Sequence, residues 1–287
     1  MSNLLITGAN GKLGRHVTQL LLEAGSNHII AASRDTAKIA DLAAKGAEVR
    51  RVDFDDAASL AQAFTGVDRV LIISTDSLGA GQRLAQHKAA VAAAKAAGVT
   101  DIVYTSMPKP DVSAVSFAGD HLGTEQAVIA SGLTYTILRD AWYQENLFMN
   151  LPDALKGGTL YTSAGDGRQA HVSHADVARS AAAALSRPSS NQIFTLTGPE
   201  LLTMPQIAAL ASAATGKPLA VVNVTDEQLA EGMKAHGLPE GWVSVLVSFD
   251  TAARRGDFDI LTNDVETLTG RKPTSLQAFF EANKAAF

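Results

Sequence analysis

Short apolar runs rich in Val and Ile recur through the first half of the chain. They cover residues 4–7 (LLIT), 28–33 (HIIAAS), 48–52 (EVRRV), 69–74 (RVLIIS), 101–105 (DIVYT) and 134–138 (TYTIL). Runs of this length and composition predict strands. The stretches between them carry a helical period instead. In LGRHVTQLLLEAG (13–25), Leu13, Val17, Leu20 and Leu21 share one face, and QRLAQHKAAVAAAKAAG (82–98) ends on Gly98, a helix-closing glycine. Strand–helix alternation at this spacing predicts a parallel sheet with helices on both sides, and nearly continuous apolar strands fit burial from both faces.

Beyond residue 150 the rhythm changes. KGGTLYTSAGDGRQAHVSHADVA (156–178) reads as a glycine-rich loop with two short strands, and Ser173 with Asp176 marks a capping box opening a helix over 174–186. IFTLTG (193–198) is a further strand, while MPQIAALASAATG, TDEQLAEGMKAHG and SLQAFFEANKAAF make 203–287 mostly helical. The expected fold is therefore α/β, with a doubly wound parallel Rossmann sheet over residues 1–150 to which 173–200 returns. Residues 151–287 form a smaller, mostly helical C-terminal lobe at the sheet's C-terminal edge, where open α/β sheets bind ligands.

The first strand runs into LITGANGKLGRH (5–16), in which Gly8, Gly11 and Gly14 lie three apart, with Ala9, Asn10, Lys12 and Leu13 between them. A helix N-terminus carries unpaired N–H groups and a positive dipole end, and a pyrophosphate reaches them only where side chains are missing. The glycine triplet after a strand and before an amphipathic helix therefore predicts dinucleotide binding. The second strand ends AASRD, with Ser33 and Arg34 where an NAD-binding protein places its ribose-binding acid; Asp35 instead starts the next helix. Arg34, with Lys12 nearby, predicts NADP(H) through its 2′-phosphate.

Composition narrows the partners. The chain has 287 residues, 46% apolar and 18% charged, enough for one large α/β domain or a domain with an added lobe. A formal charge of −5 provides no attraction to nucleic acid or an anionic membrane. The absence of cysteine excludes disulfides, thiolate nucleophiles and zinc–sulfur sites. MSNLLITG meets a glycine too early for a signal peptide, and no run approaches a membrane span. A cytoplasmic protein with a small-molecule partner is expected, and a homodimer is left open.

Taken together, TGANGKLG, SR, DFDD after the third strand, YTS, HLGTEQA, LRDAWYQENL and GDGRQAHVSHADVA resemble the NmrA-like branch of the atypical short-chain dehydrogenases/reductases. Within it the chain is most similar to the bacterial NADPH:quinone oxidoreductases of type 2, with triphenylmethane reductase a near cousin. The resemblance implies that Gly8 to Leu13 wrap the pyrophosphate and Arg34 holds the 2′-phosphate. It places Asp53 and Phe54 at the adenine, and Ser74, Thr75 and Asp76 near the ribose and nicotinamide. Arg139, Asp140, Ala141, Trp142, Tyr143 and Gln144 would lie beside the nicotinamide, with Trp142 and Tyr143 walling the substrate pocket.

Most short-chain dehydrogenases pair a tyrosine with a lysine four residues on, which lowers the tyrosine's pKa. None of Tyr104, Tyr135, Tyr143 and Tyr161 has such a lysine, and the helix after the fifth strand carries His121 and Glu125 one turn apart. Alcohol oxidation and sugar epimerisation are therefore disfavoured. Hydride transfer to a quinone leaves a phenolate-like product whose conjugate acid titrates near ~10, as tyrosine does, so stacking, position and water exclusion suffice. His121 and Tyr143 are the catalytic candidates, with a surface His121–Glu125 pair as the plain alternative. His171 and His174 lie at a strand end and a helix cap, which seldom converge on one ion, so no metal is expected. Phe279 and Phe280 read as packing. The reading is an NADPH-dependent reductase of quinones or similar flat acceptors, without flavin or metal; the rival is an NmrA-like NADP(H)-binding redox sensor without turnover. An open aromatic slot favours the enzyme, a pocket filled by the protein's own side chains the sensor.

Overall fold

Successive residues of a strand face opposite sides of a sheet. In β1 (Asn3–Ile6), Leu4 and Ile6 accordingly join one apolar layer and Leu5 the other, and all three are fully buried. The computed structural model describes every residue except Leu78 and Ala80. After β1 come α1 (Lys12–Ala24), β2 (His28–Ser33), α2 (Ala40–Ala44), β3 (Glu48–Arg51), α3 (Ala57–Phe64) and β4 (Arg69–Ile72). α4 (Gln82–Ala96), β5 (Asp101–Ser106), α5 (Ala118–Ala130) and β6 (Thr134–Asp140) complete the alternation. The remainder comprises α6 (Leu151–Gly157), β7 (Thr159–Thr162), β8 (Arg168–Gln169), α7 (His174–Leu185), β9 (Gln192–Leu196) and β10 (Leu202–Thr203). It ends with α8 (Met204–Thr215), β11 (Ala220–Asn223), α9 (Asp226–Ala235), α10 (Glu240–Arg254), α11 (Asp264–Thr269) and α12 (Leu276–Asn283).

Seven strands form one parallel sheet in the order β3-β2-β1-β4-β5-β6-β9, the expected doubly wound α/β arrangement. Val17 and Leu21 of α1 and Val177 and Ala181 of α7 cover one face over Leu71, Val103 and Leu138. On the other, Leu60 and Phe64 of α3, Val91 of α4 and Val128 of α5 cover Val70, Ile102 and Ile137. The strand order reverses between β1 and β4, so a crevice opens outside their carboxyl ends. Thr7 bridges that point: its N–H and Oγ1 donate to the Leu71 carbonyl at 3.0 and 3.1 Å, and its Oγ1 accepts the Ile73 N–H at 3.0 Å.

A third apolar cluster lies at the C-terminal edge, built from Leu147, Leu151, Ile207, Phe249, Phe258, Phe279 and Phe280 among others. β7 pairs in parallel with β11, and β8 antiparallel with β10. α10 forms from GWVSVLVSF, a β-branched stretch that the local pattern does not mark as a helix. Val245, Phe249, Ala252 and Ala253 explain it, since they recur at helical spacing and all enter the third cluster. β4 stops at Ile72, earlier than its apolar run suggests, because the Ser74 N–H leaves the ladder for Thr105 Oγ1 at 2.9 Å. Asp35 caps a 3-10 turn over Thr36–Ile39 ahead of α2. Among the described residues no helix is long and apolar enough to cross a membrane.

Candidate active site

The turn between β1 and α1 is shaped for close backbone approach. Gly8 has φ +64°, and a Cβ on Gly14 would lie 2.4 Å from the Gly8 carbonyl oxygen, so α1 presses directly on the turn. Ala9 is buried and its N–H donates to the Ala32 carbonyl at 2.9 Å, tying the loop to the end of β2. α1 has no side-chain cap and no acid in its first turn. Its leading amides and positive dipole end are thus unanswered, while Asn10 and Lys12 stand exposed beside them. That cradle fits a diphosphate.

Two residues past Ala32 is Arg34, exposed, whereas the neighbouring Asp35 faces Lys38 at 3.8 Å and accepts the Ala37 N–H at 3.1 Å. The carboxylate is committed to a cap, and the guanidinium stands exposed. Asp53 accepts from Arg51 at 3.1 Å and from the Asp55 N–H at 3.2 Å, so it rigidifies the turn after β3, with Phe54 half-buried against the sheet. Past β4, the Thr75 N–H donates to His87 Nε2 at 3.0 Å and Thr75 Oγ1 to Gln86 at 2.9 Å; Asp76 is exposed.

A buried hydrogen-bond chain runs inward from Thr75. Because His87 Nε2 accepts an amide proton, its own proton sits on Nδ1 and goes to Thr124 Oγ1 at 2.9 Å. The Tyr104 hydroxyl lies 3.4 Å from that Nδ1 and 2.9 Å from His121 Nδ1. The Tyr104 proton therefore goes to His121, whose remaining Nε2–H is a donor at the cleft. Burial and the Arg83 guanidinium hold His87 at about 4 and His121 at about 3, so both imidazoles are neutral at pH 7. Burial likewise raises Tyr104 far above its ordinary value.

His121 is buried, and Glu125 is not its partner. The surface pair allowed by their spacing is thus replaced: Glu125 accepts from Ser106 Oγ at 2.6 Å and, bidentately, from Arg139 at 2.9 and 2.6 Å. Arg139 and Gln144 turn their side chains to the protein, Gln144 donating to the Thr274 carbonyl at 2.8 Å. Asp140, Ala141, Trp142 and Tyr143 instead open onto a cavity of about 140 Å³ beyond β5 and β6. The indole of Trp142 meets Phe249 with ring centroids 3.7 Å apart. The Tyr143 hydroxyl donates to Asp140 Oδ2 at 2.8 Å, Oδ1 has no partner among the described residues, and burial raises this carboxyl to about 8.

The segment is held from across the molecule: the Val172 N–H donates to the Trp142 carbonyl at 3.1 Å, and the Gln144 N–H to the Val172 carbonyl at 2.9 Å. His171 is buried nearby, its pKa lowered to about 4 by burial, and the His174 N–H donates to the Glu145 carboxylate. Among the described residues no cluster of three or more acidic or histidine side chains could hold a metal. Phe279 and Phe280 lie in the third cluster, away from the cleft lining. Sequence reasoning missed Arg83, Ser106, Phe117, Phe249 and Phe258, all of which line the cavity. Only Arg83 left a local trace, as a cation in the first turn of a helix, where the dipole favours acids.

Known proteins are similar to this chain in sequence and fold. The chain is 36% identical over 275 residues to quinone oxidoreductase 2 of Escherichia coli, covering 95% of this chain and 96% of that protein. The crystal structure of the E. coli NADPH-dependent enzyme complexed with NADPH superposes with a TM-score of 0.92, covering 98% and 99% of the two chains. Triphenylmethane reductase of Citrobacter sp., complexed with NADP(H), is 31% identical with a TM-score of 0.91, covering 99% and 100%. The NAD(P)H azoreductase of Xenophilus azovorans is 29% identical over 99% of both chains. The NmrA-like family model matches residues 1–280, and the chain belongs to the NmrA-like family.

Proposed function

We propose that this protein is a cytoplasmic, NADPH-dependent oxidoreductase that reduces quinones or similarly flat electron acceptors. The observation that carries this reading is the open, aromatic-lined cavity of about 140 Å³ at the carboxyl ends of β5 and β6. When bound, NADPH supplies the hydride. The amides at the start of α1 hold the diphosphate, Arg34 with Lys12 the 2′-phosphate, and the Asp53–Phe54 turn borders the adenine. Trp142 on Phe249, with Phe117 edge-on to Phe249, lines a slot that stacks a flat ring and displaces water. His121 donates its Nε2–H to the acceptor, and Tyr143 orients the Asp140 carboxyl at the cleft. Relatives are named for the reduction of a quinone, a triphenylmethane and an azo substrate, which supports a reductase reading. A sensor without turnover would fill this slot with its own side chains. Mixing the protein with NADPH and a small benzoquinone in a stopped-flow absorbance experiment should show rapid loss of NADPH absorbance; oxidation no faster than the protein-free control refutes turnover.

A further inference from the structure

Arg83 is the residue of the cleft that no role described so far accounts for. It is 5% exposed, and its Nε has no hydrogen-bond partner among the described residues. Its guanidinium stacks on Phe117, with Cζ 4.3 Å from the ring centroid, and both side chains line the cavity with His121. It also sits in the first turn of α4, whose dipole opposes a cation there. Asp76 and Asp120 attract it from a distance without bonding it, and Tyr104 and His121 on the same side are neutral. Burial, an unbonded Nε and an adverse helix end all act against this charge, and among the described residues no carboxylate forms an ion pair with it. Such a site is completed by an anion arriving from the cavity.

We propose that Arg83, together with the Nε2–H of His121, forms the oxyanion pole of the cleft and binds the acceptor oxygen on which negative charge settles during reduction. The inference rests on the quinone reading above. Two electrons and one proton reach the quinone as hydride, drawn from the oxidation of NADPH to NADP⁺. The hydride forms an O–H bond at one carbonyl oxygen, both carbonyl π bonds are lost as the ring becomes aromatic, the pair of the second remains on its own oxygen, and a proton taken from water then completes the quinol. The guanidinium and imidazole N–H stabilise the intervening oxyanion from fixed positions, in a setting with little water to compete. No proton has to leave His121, in keeping with its neutral, Tyr104-bonded state.

The test is the binding of 4-nitrophenol, whose phenol and phenolate forms differ in absorbance, to the full chain without NADPH. The wild-type protein should favour the phenolate, lowering the apparent pKa of the bound probe by about one unit, a tenfold preference. Arg83→Met should abolish that shift, Arg83→Lys should retain part of it, and NADPH affinity should be unchanged in both. With a neutral benzoquinone, Arg83→Met should lower kcat by about 10²-fold. Unaltered phenolate binding in Arg83→Met overturns the proposal, as does a loss of NADPH affinity that reassigns the guanidinium to the cofactor. Should Arg83→Met fail to fold, Arg83→Gln and Arg83→Lys decide between the outcomes through the same charge difference. Arg83-dependent phenolate binding in a protein that reduces no quinone would refute the enzymatic reading and leave the oxyanion pole standing.

Discussion

Lowering the pH from 6.5 towards 4 should destabilise this protein steeply. His87, His121 and His171 are 0, 4 and 5% exposed. The fold holds them at about 4, about 3 and about 4, chiefly by burial, against ~6.5 in an unfolded chain. Between these limits each imidazole takes up a proton only on unfolding. The unfolded state therefore binds more protons, and each group lowers stability by ~1.4 kcal/mol for every unit the pH falls. Asp140 has the opposite sign: raised to about 8, it keeps a proton in the fold that an unfolded carboxyl, at ~3.9, has released. His174, shifted down, and Asp250, shifted up, oppose one another. A net uptake of about two protons remains, or ~2.7 kcal/mol per pH unit, which is large beside a typical total of about 5–15 kcal/mol. Above pH ~6.5 only the Asp140 effect persists, so stability should decline gently towards pH 8 and peak near 6.5. Urea unfolding followed by tryptophan fluorescence across this range measures the slope. His171→Gln should remove about half of it, since one imidazole of the net two protons is gone. Stability that stays level or rises between pH 6.5 and 5, or a slope unmoved in His171→Gln, refutes the assignment of these histidines as neutral and buried.

Three further outcomes test the cradle and the frame around the cleft. Gly14→Ala places a Cβ 2.4 Å from the Gly8 carbonyl oxygen, so the turn must shift; NADPH binding by calorimetry should be lost and the melt should report ~1–3 kcal/mol of destabilisation. Arg34→Gln should weaken NADPH by about 10–100-fold, corresponding to the ~1.5–3 kcal/mol of a charged hydrogen-bonded contact, and leave NADH unchanged; an equal loss for both nucleotides in a fluorescence titration contradicts the 2′-phosphate role. Arg139→Met strands the 3% exposed Glu125 carboxylate and should cost ~3 kcal/mol by urea unfolding, with Glu125→Gln added on top recovering part of the loss.

Of the strands from β1 to β6, all but the half-buried edge strand β3 are covered on both faces, which leaves a mark in composition alone. The glycine turn was legible for a related reason: where backbone meets backbone, as Gly14 meets Gly8, a side chain cannot exist. α10 was not, since Val and Ser residues hide the helical spacing of the face it buries. The candidate site was half visible. Trp142 and Tyr143 followed from the family resemblance together with their place past β6, but the partners of neighbouring residues did not, so the capture of Arg139 by Glu125 and of Gln144 by the Thr274 carbonyl had no local sign.

Strand composition, side-chain-free turns and the basic residue after β2 are properties of neighbours along the chain, and they settled the sheet class and pointed to the proposed dinucleotide cradle. Which histidine is neutral, which arginine is paired and which aromatic faces a ligand depend on groups far apart in sequence: Tyr104 with His121, Trp142 with Phe249, Arg83 over Phe117. Protonation and pairing follow from the dielectric and the hydrogen-bond partners around an atom, and those exist only once α4, α5 and α10 have closed on the ends of β5 and β6.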